Sequence, residues 1–90
     1  MNFKEYRDNA RFQAERYAGR IKPAAGRSIN NAVRAGEWAF AVSELTSALV
    51  AEGVPVKRED ADMLRRLLSG VPLPPDTPSD IAERLIITDD

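Results

Sequence analysis

The chain has 90 residues, of which 43% are apolar and 30% are charged, and its formal net charge is −1. This length suits one domain with a single small core. Because the sequence contains neither histidine nor cysteine, it excludes disulfides, thiolate zinc sites and catalysis by imidazole or thiol groups. We expect no metal, no cofactor and no enzymatic activity. No apolar run approaches the roughly 18 residues of a membrane span, which favours a cytoplasmic chain without membrane contact.

Residues 3–21 are predicted to form the first helix, which Gly19 and Pro23 bring to an end. Six of its residues share one helical face: Phe3, Tyr6, Ala10, Ala14, Tyr17 and Ile21. Phe12 lies on the opposite side. The shared face is expected to pack against the rest of the chain.

Residues 24–35 are predicted to form a second, shorter helix that ends at Gly36. Its stripe of mostly small side chains permits close approach to another helix: Ala25, Ile29, Ala32 and Val33. Gly26 costs about 1 kcal/mol relative to alanine inside a helix, so the early part of this helix is expected to be weak.

Residues 37–53 are predicted to form the central helix. Its dominant apolar stripe has four members: Trp38, Val42, Leu45 and Leu49. Trp38 is therefore expected to serve in packing. Phe40 lies off the stripe, on the side that holds Glu37 and Glu44. Two interpretations of Phe40 stay open: burial within a helix that is covered on several sides, or exposure for a partner protein.

After Gly53, Val54-Pro55-Val56 is predicted to be extended, because a proline disfavours helix at the preceding residue. A fourth helix follows over residues 58–69, with acidic residues in its first turn, where the helix dipole favours them. Its buried stripe is predicted to contain Met63, Leu64, Leu67 and Leu68.

Residues 71–78 hold four of the six prolines and are predicted to form a stiff connector. Thr77-Pro78 is typical of a helix start and predicts a short last helix with Ile81, Leu85 and Ile86 on one side. The apolar run at residues 85–87 favours docking of this tail on the bundle, with an anchor for another molecule as the alternative.

These elements predict an all-α fold, a compact bundle of four main helices over residues 1–70. The Pro-rich connector and short C-terminal helix over residues 71–90 are expected to belong to the same domain. A monomer is favoured.

Charge is distributed unevenly along the chain. The first 34 residues carry eight Lys and Arg against three Asp and Glu, whereas the rest carry five against eleven. The basic part lacks a compact recognition helix, and the isoelectric point near 5.4 opposes non-specific affinity for nucleic acid. We therefore expect no nucleic-acid partner.

The acidic part predicts a surface for a basic partner protein if the Val-Pro-Val corner brings the third and fourth helices together. The candidate partner-binding residues are Glu37, Phe40, Glu44, Glu59, Asp60 and Asp62. The same carboxylates would equally suit simple solubility and complementarity to helix dipoles.

Residues 29–67 resemble a small helical family of bacterial immunity proteins, among them the immunity partners of Maf-type and related polymorphic toxins. The matching elements are Ile29 and Val33, Gly36-Glu37-Trp38, Ala41-Val42-Ser43-Glu44-Leu45, Val54-Pro55-Val56, and residues 59–67. The chain departs from the family pattern at Lys57-Arg58, where a Ser or Thr helix cap is usual, and in the Pro-rich tail, which lies outside the pattern.

The resemblance implies a cytoplasmic, non-catalytic protein without a cofactor that binds a cognate toxin domain and blocks its active site. Glu37 and Glu44 match recurring positions of that pattern. The alternative function is a non-enzymatic helical adaptor or regulatory subunit that acts through protein–protein contacts, including self-association through Phe40 and the tail.

Overall fold

A computed structural model describes residues 1–88 of the chain. Its four α-helices are α1 (Phe3–Tyr17), α2 (Pro23–Arg34), α3 (Trp38–Ala51) and α4 (Arg58–Leu68). One 3-10 turn, Ala18–Arg20, directly follows α1, and another, Ile81–Arg84, lies in the tail after α4. The two short strands are β1 (Val56–Lys57) and β2 (Ile87–Thr88). The predicted all-α bundle of four main helices is confirmed, with a two-stranded parallel sheet added to it.

Helix α1 begins with a capping box. The Asn2 side chain accepts a hydrogen bond from the Glu5 amide at 2.8 Å, and the Glu5 carboxylate accepts one from the Asn2 amide at 3.3 Å. The α-helix ends at Tyr17, four residues earlier than predicted, because a 3-10 turn at Ala18–Arg20 prepares the change of direction before Pro23. The prediction that Phe3 packs on the core is wrong, since 68% of this residue is exposed.

Gly26 is a point of close contact between α2 and the turn that precedes it. A Cβ atom at this position would lie 2.8 Å from the carbonyl oxygen of Ala18. The expected weakness of the early part of this helix stays a prediction, but Gly26 also has a role in packing that the sequence did not reveal. The missing side chain lets α2 approach the end of α1, and the residue is buried.

Helix α3 is the centre of the fold, as predicted, and contacts α1, α2 and α4. Val42, Leu45 and Leu49 are each at most 1% exposed. Two polar residues are buried beside them, and both hydroxyls keep a hydrogen bond because they donate to carbonyls of the same helix. Ser43 donates to Phe40 and Thr46 donates to Val42, both at 2.9 Å.

The tail from Val71 onward returns to the bundle. Ile81, Ala82 and Leu85 are buried in the same hydrophobic core as the helices, so the predicted docking is confirmed. The predicted last helix is reduced to one 3-10 turn, because the following residues pair as a strand instead. Val56 pairs with Ile87 and Lys57 with Thr88 in parallel register.

The described part of the chain is nearly as wide as it is long, with extents of 29, 28 and 27 Å. Within residues 1–88, no helix has the length and apolar character needed to cross a lipid bilayer. The predicted acidic end at Asp89 and Asp90 lies outside the described residues.

Candidate functional site

Four aromatic side chains surround an open groove where the start of α1 meets the start of α3. Phe3, Tyr6, Trp38 and Phe40 line it together with Val71, which follows α4, and the groove has a volume of about 620 Å³. Phe3 and Phe40 are 68% and 47% exposed. Large apolar side chains held together in contact with water are typical of an interaction surface. We call this feature the aromatic groove.

The connection between α2 and α3 positions the side of the groove that Trp38 and Phe40 form. Gly36 has a φ of +74°, a left-handed conformation that side chains disfavour. The amide of Gly36 donates to the Val33 carbonyl at 3.1 Å and the amide of Glu37 donates to the Ala32 carbonyl at 2.9 Å. This Schellman arrangement closes α2 and lets α3 begin at once, which places Trp38 and Phe40 opposite α1.

Tyr6 fixes the side of the groove that α1 forms. Its hydroxyl donates a hydrogen bond to the carbonyl oxygen of Leu67 at 2.8 Å, which joins α1 to the end of α4. Burial raises the pKa of the Tyr6 phenol above its usual value of 10.0, which extends the pH range over which the hydroxyl stays protonated and can donate. The groove is therefore built on helices that are tied together.

Trp38 occupies the border between the core and the groove. It is half-buried and packs against the core, as predicted, but it also lines the groove. The guanidinium carbon of Arg11 lies 5.3 Å from the centre of its ring, within the range of a cation–π contact. Trp38 thus contributes to both packing and the exposed aromatic surface.

A smaller pocket lies on the other side of Phe40. It has a volume of about 270 Å³ and is lined by Phe40, Ser43, Glu44, Ser47, Pro74 and Thr77. One carboxylate oxygen of Glu44, Oε2, is shielded from solvent and has no hydrogen-bond partner. We call this feature the Glu44 pocket. Phe40 belongs to both features and forms the ridge between them.

The structure separates five of the six predicted partner-binding residues into three groups. Glu37 and Phe40 are exposed at the aromatic groove, and Glu44 is half-buried in its own pocket. Phe40 is therefore exposed rather than buried, and its contact with a partner stays a prediction. Glu59 and Asp62 are exposed on α4 but line neither cavity, and Asp62 pairs with Arg65 at 3.1 Å.

Asp60 does not belong to any acidic surface, and the prediction that it contacts a partner is wrong. The residue is 4% exposed. Its carboxylate accepts hydrogen bonds from Gln13 at 3.0 Å and from the Tyr17 hydroxyl, and it lies 3.3 Å from Nε of Arg16. These donors project inward from α1, so Asp60 joins α4 to α1 inside the protein.

Among residues 1–88, no group of three or more acidic side chains is placed to hold a metal ion. Comparisons of the chain with protein-family models, with curated proteins and with solved structures returned no match. The groove residues that the sequence did not reveal are Phe3, Tyr6 and Val71. They come from two segments distant from α3, and only the packing of α1 and α4 brings them together.

Proposed function

We propose that this chain is a non-enzymatic binding protein that docks on a partner protein through the aromatic groove. The observation that carries the proposal is the exposure of Phe3 and Phe40 beside Trp38. Aromatic residues are enriched among those that dominate the energy of protein interfaces. The groove exposes these rings to water, and the helices that carry them are fixed by buried contacts. Binding of a partner therefore requires no change in the positions of the helices.

Burial free energies indicate how much of the binding free energy the groove contributes. Burying a Phe side chain completely is worth about 1.5–3 kcal/mol, so covering the exposed parts of two such rings yields only about 2–4 kcal/mol. Association itself costs at least about 4 kcal/mol in lost translational and rotational freedom. The groove therefore acts as the apolar centre of a larger contact, and the surrounding polar and acidic residues must add to it.

We further propose that the partner is a bacterial toxin domain and that binding blocks its active site in the cytoplasm. This step is supported by the resemblance of residues 29–67 to immunity proteins, and it requires no catalysis and no cofactor. Glu37 and Glu44, which match recurring positions in that resemblance, flank Phe40 along α3. The groove and the resemblance thus indicate the same side of the helix.

The deciding experiment is co-expression with the product of the adjacent reading frame, which this proposal expects to be a toxin domain. We expect growth to be restored and the two chains to co-purify as a complex. Phe40→Asp should abolish both results, whereas Phe12→Asp, at an equally exposed ring outside the groove, should preserve them. Absence of a complex and of growth rescue with the wild-type chain would overturn the toxin assignment.

The second candidate function, an adaptor or regulatory subunit, depends on the same groove. It is favoured if the chain binds a partner without toxic activity through Phe3 and Phe40. The co-expression experiment separates the two functions, because only an immunity protein restores growth.

A further inference from the structure

We propose that the segment received by the aromatic groove is basic. Its large apolar side chain enters between Phe3, Trp38 and Phe40, and a neighbouring Lys or Arg crosses Phe40 to pair with Glu44. This inference rests on the proposed binding function and specifies the chemistry of the partner segment.

The two cavities are adjacent because Phe40 lines both of them. Glu37 directly precedes α3, and Phe40 and Glu44, four residues apart, share one face of that helix. A segment that lies along this face meets the aromatic groove on one side of Phe40 and the Glu44 pocket on the other. An apolar side chain and a polar one about a helical turn apart on the partner would match this order.

Glu44 carries a carboxylate oxygen that no donor of the described residues satisfies. Oε2 has no hydrogen-bond partner although it is shielded from solvent. The Ser43 hydroxyl donates to the Phe40 carbonyl and the Thr77 amide donates to the Pro74 carbonyl. The hydroxyls of Ser47 and Thr77 also line the pocket, and neither is bonded to Oε2. A buried carboxylate oxygen without a partner is costly, and an incoming ammonium or guanidinium group would relieve that cost once the Glu44 side chain turns towards the pocket.

Charge favours a basic segment over a neutral or acidic one. The residues that line the two cavities include Glu37 and Glu44 but no Lys or Arg. Arg11, the cation stacked on Trp38, lies on that ring and lines neither cavity. A neutral segment would cover Glu44 without pairing it, and an acidic segment would add repulsion.

A second copy of the chain is disfavoured as the occupant for the same reason. A two-fold symmetric contact places the same surface on both partners. In a dimer formed across this groove both copies would present Glu37 and Glu44 and no Lys or Arg from the cavity linings, so the facing linings would offer Glu44 no cation. The structure thus favours a different protein that carries positive charge beside an apolar side chain.

The test uses the full chain and a phage-displayed library of random short peptides, selected at low salt with the Phe40→Asp chain as competitor. We expect the recovered peptides to combine a large apolar residue with Lys or Arg about one helical turn away. Glu44→Gln should weaken their binding about tenfold, and added salt should weaken binding to the wild-type chain. Glu59→Gln, which removes the same charge outside both cavities, should change binding less than about twofold.

Three outcomes would overturn the inference in different ways. Peptides that need Phe40 but lack basic residues, with equal affinities for Glu44→Gln and Glu59→Gln, would reject the basic segment and leave the groove as a binding site. Peptides whose binding never depends on Phe40 would reject the groove as well. A wild-type dimer in sedimentation equilibrium that Phe40→Asp abolishes would identify a second copy as the occupant. Circular dichroism of each variant establishes that it is folded.

Discussion

The hydroxyl of Tyr17 donates a hydrogen bond to the carboxylate of Asp60 inside the core, with 2.5 Å between the two oxygens. The two residues are 43 positions apart, on α1 and α4. The same hydroxyl accepts a hydrogen bond from the Lys57 amide at 3.2 Å, so the contact also fixes the corner between β1 and α4. Gln13 and Arg16 complete the set of groups around Asp60.

Asp60→Asn should lower the free energy of unfolding by about 1–3 kcal/mol, because it removes the charge that strengthens the hydrogen bonds from Tyr17 and Gln13. The matched control is Asp62→Asn, which breaks an exposed ion pair with Arg65 and should cost at most about 1 kcal/mol. Urea denaturation monitored by circular dichroism measures both. Equal losses for the two variants would contradict a stabilising role for the buried carboxylate.

The two tyrosines predict a loss of stability in alkaline solution. Burial raises the pKa of Tyr6 above 10.0. The pKa of Tyr17 is also raised above 10.0, mostly by burial and to a smaller extent by the hydrogen bond to Asp60. Above pH 10 the unfolded chain loses these phenolic protons while the folded chain keeps them, so the unfolded state binds fewer protons. The stability that these two buried, protonated phenols contribute should therefore be fully present below about pH 10 and be lost as pH rises beyond it, through the raised pKa values of the folded state.

Ultraviolet absorbance of tyrosinate tests this directly, because the chain contains only these two tyrosines. The folded protein should titrate at higher pH than the protein in urea. Tyr6→Phe leaves Tyr17 as the sole source of the signal and should retain a raised midpoint. Coincident folded and unfolded titration curves would contradict the effect of burial.

Gly26→Ala should destabilise the protein, although alanine is the better helix former. Helix propensity alone favours Ala by about 1 kcal/mol, but the added Cβ would lie 2.8 Å from the Ala18 carbonyl oxygen. Relieving that overlap requires the backbone to move, and overpacking costs about 1–3 kcal/mol. Gly19→Ala is the control, since no atom lies within 4 Å of its added Cβ. Thermal unfolding should rank Gly26→Ala below both the wild type and Gly19→Ala.

Local patterns were sufficient to predict the four α-helices, but not the 3-10 turn and strand that replace the predicted last helix. Apolar periodicity identified the buried stripes of α3 and α4, and the left-handed glycines Gly36 and Gly53 lie where helix ends were predicted. The same patterns do not tell how far a neighbouring helix extends. Phe3 lies on the expected face of α1, yet it projects beyond the rest of the bundle and remains in solvent.

Contacts between distant segments were beyond the reach of sequence patterns. An acidic residue in the first turn of α4 suits the helix dipole whether it faces water or the core. Only the donors on α1 decide that Asp60 faces inward. Likewise, Ile86 and Ile87 were compatible with a helix, and their extended conformation follows from the hydrogen bond between the Val56 amide and the Ile86 carbonyl.

The extended end of the tail predicts alternating sensitivity to mutation. Leu85 is 8% exposed and Ile86 is 50% exposed. Leu85→Ala should lower the free energy of unfolding by about 2–5 kcal/mol, whereas Ile86→Ala should change it by about 0.5 kcal/mol or less. Urea denaturation of the two variants is the measurement. Similar losses at both positions would contradict the described register of the tail.

The aromatic groove predicts that Phe40 serves binding and contributes little to folding. Phe40→Ala and Phe12→Ala replace rings of nearly equal exposure, 47% and 50%, so each should change the free energy of unfolding by only about 0.5 kcal/mol. Their effects on binding should differ, because Phe12 lies under Arg16 and outside the groove. Truncating an aromatic residue at the centre of an interface weakens binding by about tenfold or more.

Trp38 is the only tryptophan of the chain and lines the groove, so its fluorescence reports occupancy. Titration with the toxin domain, or with peptides selected on the wild-type chain, should change the emission of the wild type and of Phe12→Ala at similar concentrations. Phe40→Ala should require about tenfold more ligand. If both variants bind as the wild type does and the emission of Trp38 stays constant, the partner occupies a different surface.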